Sequence, residues 1–210
     1  DVQTVAVPKA EQARALPYVA PAEEPLHLHC FHVMVKPIGP ACNLRCKYCF
    51  YLEKQSLFDE GTNYRMQDDT LRAFIHRYIR AFGGPELTFS WQGGEPTLLG
   101  VDFFRRAVEL QRQFGDGRPI HNTLQTNGTL LDDEWCEFLA REKVLVGLSL
   151  DGPRHIHDRQ RIKPDGSGSF DEVMRGLKLL KKHGVQFNSL TCVPATSADH
   201  GRDIYRFLLE

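Results

Sequence analysis

Cys42, Cys46 and Cys49 are three thiols within eight residues, in the run Gly39-Pro-Ala-Cys42-Asn-Leu-Arg-Cys46-Lys-Tyr-Cys49-Phe-Tyr51. The spacing is C-x3-C-x2-C, and Gly39-Pro40 breaks whatever strand precedes it, so the three sit on a loop. Thiolates this close can converge on one metal centre. They are one short of the four ligands that a closed zinc or iron–sulfur site takes. A three-ligand set leaves a coordination position open, as reactive metals require. Two other readings stand beside this one: a closed zinc site that recruits Cys30 or His32 as fourth ligand, and three unrelated core cysteines. The polar Asn43, Arg45 and Lys47 between the thiols argue against core packing. A second tract, His27-Leu-His29-Cys30-Phe-His32, has metal-binding residue types, and alternation into a first strand explains it equally.

The elements that must position these residues alternate. Phe31 to Lys36 reads as a first strand, followed by the cysteine loop, and the first helical run of apolar residues begins at Leu71 and stops at Gly83-Gly84. Leu87–Trp91, Ile120–Gln125, Val144–Leu150 and Val185–Val193 read as four further strands. Helices follow with faces at Phe103, Ala107 and Leu110, at Trp135, Phe138 and Leu139, at Val173, Leu177 and Leu180, and from Ile204. Asp132-Asp133 suits a helix N-terminus, and Ser169 with Glu172 has the spacing of a capping box. Strand–helix alternation of this kind predicts an α/β fold with a parallel sheet. The cysteine loop, Gln92-Gly93-Gly94-Glu95-Pro96, Thr126-Asn127-Gly128 and Ser149-Leu-Asp151-Gly152-Pro153 all fall just after strand ends. In an α/β barrel those ends share the rim that carries the active site. The expectation is therefore a partial (β/α)6-type, TIM-like barrel, truncated after about five βα units, over residues 31–210, with 1–30 a loose arm.

Composition narrows the function classes. Of 210 residues 41% are hydrophobic, enough for a sizeable core, and Lys plus Arg number 26 against Asp plus Glu 27. With no basic stripe, a nucleic-acid partner held through phosphates is not expected. No apolar run reaches membrane-spanning length and no signal-peptide pattern is present, so a cytoplasmic protein without a membrane partner is expected. Six cysteines, half of them in one tight loop, suit metal chemistry in a reducing compartment better than a disulfide framework. Cys136, on a helix, and Cys192, on a strand, are expected to be inert core residues. A start at Asp1 and a stop within a helix at Glu210 suggest trimming at both ends.

CNLRCKYC resembles the cluster loop of the radical S-adenosylmethionine (SAM) enzymes. The resemblance implies a 4Fe–4S cluster on Cys42, Cys46 and Cys49, with SAM on the fourth iron, cleaved reductively to a 5′-deoxyadenosyl radical that abstracts hydrogen from substrate. It also implies SAM contacts at Gly93 and Gly94, with Glu95 supporting, at Ser149 and Arg161 toward the SAM carboxylate, and at Tyr48 toward the adenine. Each has an ordinary alternative: Glu95 as a helix cap, the arginine as a solvated charge, Tyr48 as packing. Asp151 and Asn127 on the rim are expected to hold the loops by hydrogen bonds. Longer runs, KPIGPACNLRCKYCFYLEK, SWQGGEPTLLG, NTLQTNGTLLDDEWCEFL and VGLSLDGPRHIHDRQR, are similar to the anaerobic sulfatase-maturating enzymes, a branch carrying a C-terminal SPASM domain. This similarity implies oxidation of a Cys or Ser in a sulfatase to formylglycine, Tyr51 and Gln92 on the substrate side, a sulfatase or peptide partner, and an electron donor such as ferredoxin or flavodoxin. The chain departs from that pattern in having no SPASM cysteines after Cys192, no sixth strand, and an expected proton acceptor beyond Glu210. It is therefore expected to keep the SAM half of the site without full maturation activity. A SPASM maturase of a ribosomal peptide and a non-catalytic zinc module are the alternative functions.

Overall fold

The computed structural model describes residues 30–58 and 61–210. The arm and most of the histidine tract, His27 and His29 included, lie outside the described residues. Five parallel strands, β1 (Val33–Val35), β2 (Leu87–Trp91), β3 (Ile120–Thr126), β4 (Leu145–Ser149) and β5 (Phe187–Leu190), pair in the order β1-β2-β3-β4-β5. The order never reverses, so there is no switch point of the doubly wound kind; this is the strand sequence of a barrel wall.

Alternation along the strands separates two faces. Leu87, Phe89 and Trp91 are at most 2% exposed and pack toward the helices. There α2 (Asp68–Ala81) supplies Leu71, Ile75 and Ile79, and α3 (Val101–Phe114) supplies Phe104 and Leu110. Tyr78 and Phe104 meet the β2 rings edge-on, at 4.9 Å from Phe89 and 5.5 Å from Trp91, the arrangement favoured by ring quadrupoles. One polar pair sits in this apolar layer. Asn122 exchanges hydrogen bonds with Gln111 at 2.8 and 2.9 Å and accepts from Trp91 Nε1 at 2.8 Å.

The opposite face is mixed. Ser90, Gln92, Thr123, Gln125 and Asn188, together with the apolar Met34, Leu145 and Leu190, line an open cavity of about 320 Å³.

Several elements differ from expectation. α1 (Phe50–Lys54) starts directly after the last loop cysteine and buries none of its residues, so it leaves no apolar period to read. α5 (Arg154–Gln160) was likewise unannounced, being too short for a sustained stripe. α4 (Asp133–Arg141) begins as expected, with the Asp132 carboxylate accepting from Trp135 N at 2.8 Å. The capping box does not form on α6 (Phe170–Lys182). Ser169 turns inward, Glu172 pairs with Lys163, and it is Asp158 that accepts from Phe170 N at 2.8 Å. β5 is shorter than expected, which leaves Cys192 exposed beyond its end and not in the core, whereas Cys136 is buried. α7 (Gly201–Leu209) follows, anchored by Ile204.

Candidate active site

The cysteine loop leaves β1 and is held from three sides. Behind it, Gly94 N donates to Gly39 O and Glu95 N to Ala41 O, both at 2.8 Å. A Cβ on Gly94 would fall 1.9 Å from Ala41 O, and one on Gly93, where φ is +129°, would fall 2.9 Å from Gly39 O. The paired glycines are therefore required by the loop's own backbone, at the strand end where the resemblance also seeks SAM contacts. On one flank, Arg45 N donates to Ile162 O at 2.8 Å and Lys47 N to Gln160 O at 2.9 Å. These two bonds bracket Cys46 on one strand of chain and Arg161 on the other. On the second flank, Asn43 Nδ2 donates to Thr129 Oγ1 at 2.8 Å, and Asn127 Nδ2 donates to Asn43 Oδ1 at 2.9 Å.

The thiols share this loop but are not gathered: among the described residues no three His, Cys, Asp or Glu side chains form a ready metal-binding group. Cys42 Sγ accepts from Leu44 N at 3.3 Å and lies 3.9 Å from Asn127 Nδ2. Burial pushes the Cys42 thiol up to about 12, and the other two thiols push it the same way. Cys46 is pushed up to about 11 by burial, against the pull of Arg161. Neighbouring sulfurs that penalise each other's charge suit a cationic group, which would reverse that penalty on binding and release the protons.

Asp151, fully buried after β4, collects the rim. It accepts from Arg161 Nε at 3.0 Å and Nη2 at 3.1 Å, from Tyr48 Oη at 2.5 Å, and from Cys192 N at 3.0 Å. The Arg161 guanidinium lies 5.5 Å from the Tyr48 ring centroid. Burial works against the Arg161 charge, and Asp151 outweighs it. Burial, with Asp151 accepting from it, keeps the Tyr48 phenol protonated. Asp151 thus ties the cysteine loop to the segments after β4, α5 and β5.

Glu95 is 1% exposed and its carboxylate faces the protein. It accepts from Thr97 N, Thr97 Oγ1, Thr126 Oγ1 and Asn127 N at 2.7–3.1 Å. Four donors fill it, and the first of them makes it the cap of the short 3-10 turn Pro96–Leu99. Ser149 Oγ accepts from Gln125 Nε2 at 3.0 Å. Gln92 lines the cavity, and the Tyr51 ring lies under Lys36 Nζ at 5.0 Å. The fourth-ligand readings fail. Cys30 precedes β1 and sits over Gly84, at the opposite end of the strand from the loop cysteines, and His32 Nε2 is paired with Ser90 Oγ at 3.0 Å.

The Radical SAM superfamily model matches residues 37–208, a span that takes in the loop, the glycine pair, Ser149 and Arg161. The chain belongs to the radical SAM superfamily. It is 46% identical over 191 residues to the serine-type anaerobic sulfatase-maturating enzyme of Bacteroides thetaiotaomicron, covering 91% of this chain and 45% of that protein. It is 40% identical over 179 residues to the cysteine-type enzyme of Clostridium perfringens, covering 85% and 48%. The structure of native anSMEcpe with bound AdoMet and Cp18Cys peptide superposes with a TM-score of 0.76 at 38% identity, over 85% of this chain and 46% of that one. The chain spans about half the length of the curated relatives it matches.

Within this radical SAM core, sequence reasoning missed Asn43, Thr129 and His157, and gave Ser169 a capping role that it does not take. All four are small or medium polar residues whose side chains bond to other loops. No spacing rule announces such partners; an Asn beside a loop cysteine was the nearest thing to a signal.

Proposed function

We propose that this chain is the SAM-cleaving core of an anaerobic sulfatase-maturating enzyme, oxidising the β-carbon of a sulfatase Cys or Ser to formylglycine. The observation that carries the reading is the pinning of Cys46 beside Arg161 by the Arg45 and Lys47 amides, which sets a cation and a three-thiol loop at one strand-end rim. The names of the relatives supply the substrate class.

Cys42, Cys46 and Cys49 would hold a 4Fe–4S cluster, and the cluster with SAM supplies a hydrogen-abstracting radical when bound. The chain's residues place and shield that chemistry. Nη1 of Arg161, the guanidinium nitrogen that Asp151 does not use, faces the task of holding the SAM carboxylate, for which a planar fork is suited. Ser149 adds a hydroxyl, and Tyr48, held by Asp151, offers its ring to the adenine. Gly93 and Gly94 bring backbone close to the SAM amino group, while Glu95 acts from behind by fixing the Thr97 and Thr126–Asn127 segments. Gln92 lines the cavity where a peptide would enter, and Tyr51, under Lys36, is assigned to the substrate side by the resemblance alone. An external one-electron donor of the ferredoxin or flavodoxin type completes the reading. No described helix is long and apolar enough to cross a membrane.

The test is anaerobic reconstitution of the full-length protein, incubation with reductant, SAM and a sulfatase-derived peptide bearing Cys or Ser, then chromatography for 5′-deoxyadenosine and mass analysis for formylglycine. Both products should appear, and Cys46→Ala should abolish them. 5′-Deoxyadenosine without formylglycine on either peptide would overturn the sulfatase reading and turn attention to ribosomal peptide substrates.

A further inference from the structure

His157 is fully buried, on α5 and between Asp151 and Arg161 in sequence. Its ring joins three hydrogen bonds in series. Asp151 N lies 3.3 Å from Nδ1, Nε2 lies 3.1 Å from Ser169 Oγ, and Ser169 Oγ lies 2.8 Å from Arg161 O. The direction of the series is forced. A backbone N–H can only donate and a backbone carbonyl can only accept, so Nδ1 is bare, the ring proton is on Nε2, and the Ser169 hydroxyl points at Arg161. The chain begins on Asp151 and ends on Arg161, the same two residues that the carboxylate and guanidinium join directly. The result is a closed ring in which the backbone separation of the pair is fixed by a rigid aromatic spacer.

Ser169 reaches this position because Ile162 and Gly168 form an antiparallel bridge that folds the intervening loop back on α5. Gly168 leaves room for the Asp158 carboxylate that caps α6, since a Cβ would fall 2.1 Å from Asp158 Cγ and displace that side chain.

We propose that His157, with Ser169, is a positioning residue for SAM: it fixes the main chain of Asp151 and Arg161 so that the free edge of the Arg161 guanidinium is held toward the SAM carboxylate. The inference rests on the functional reading above, in which Arg161 holds that carboxylate. The ionisable groups facing the ring are Asp151, Arg161 and Asp158, and burial together with Arg161 keeps it neutral. A neutral ring is what the forced direction requires.

The test uses the reconstituted full-length protein and reads SAM affinity by calorimetry and the change in the reduced cluster's electron paramagnetic resonance on adding SAM. His157→Phe keeps the ring volume and loses both bonds; it should weaken SAM binding about tenfold, the effect of one hydrogen bond on a bound orientation. His157→Gln, whose amide can still donate to Ser169, should recover part of the loss, and Ser169→Ala should match the Phe variant with less risk to folding. Unchanged affinity and spectrum in a folded, iron-loaded Ser169→Ala variant, while Arg161→Lys weakens binding, would overturn the inference and leave the SAM reading intact. Unchanged affinity in Arg161→Lys as well would overturn both. In the unaltered protein, nitrogen-15 shifts of the imidazole should show the Nε2–H tautomer; the Nδ1–H tautomer would overturn the relay by itself.

Discussion

Glu95 and His157 are ionisable side chains placed out of reach of water, and each is kept by the donors and acceptors around it. Burial pushes the Glu95 carboxyl up, and four donors pull against that. Glu95→Gln would set an NH2 against donors that have nowhere else to turn. It should lower stability by about 3 kcal/mol in urea unfolding, the size expected when buried partners are left unmatched. His157 is pushed down to about 4 from the usual 6.5. The unfolded chain therefore binds a proton that the folded one refuses between those values. Its contribution is complete above about pH 6.5 and is lost as pH falls toward 4, about 3 kcal/mol in all. Urea midpoints measured down that range should fall, and the fall should be shallower in His157→Phe. Neither environment was legible from sequence. From sequence Glu95 serves equally as ligand support or cap, and what distinguishes these is the convergence of Thr97, Thr126 and Asn127, which only the folded sheet brings about.

At the scale of elements, long amphipathic helices and strands were readable because burial of one face imposes a period on them. α1 and α5 were not, because α1 buries no residue and α5 only three. The junction between the cysteine loop and β2 is an element-level constraint with a sharp consequence. Gly94→Ala would press a methyl group into Ala41 O, a contact that backbone cannot relieve without moving the loop. Iron bound per chain after reconstitution should drop severalfold, with helix content by circular dichroism nearly unchanged. The Asn122–Gln111–Trp91 contact between β3, α3 and β2 makes the opposite kind of prediction. Asn122→Ala leaves three buried polar groups without partners and should cost about 3 kcal/mol. Gln111→Leu added to Asn122→Leu should cost less than the two singly summed, because both halves of the amide pair then leave together.

For the whole molecule, the strand order and the common rim were legible because each motif follows a strand and parallel strands end on one side. The way the rim is stitched was not, since Asp151 makes its bonds to Tyr48 and Cys192 across long separations in sequence. Asp151→Asn should loosen the rim as a unit. Amide hydrogen exchange at Arg45 and Lys47, far from the substitution in sequence, should quicken about tenfold or more, while amides of β2 and β3 stay protected.

The clasp that Gln160 and Ile162 place on Arg45 and Lys47 also bears on the order of events during synthesis. The cysteines leave the ribosome early, whereas the carbonyls that shape their loop emerge only after the fourth strand and the short helix behind it. Until then the loop has only its contacts to Gly94, Glu95, Asn127 and Thr129, so the flank that carries Arg161 is the last side of the site to close, and a cluster inserted earlier would meet an open edge.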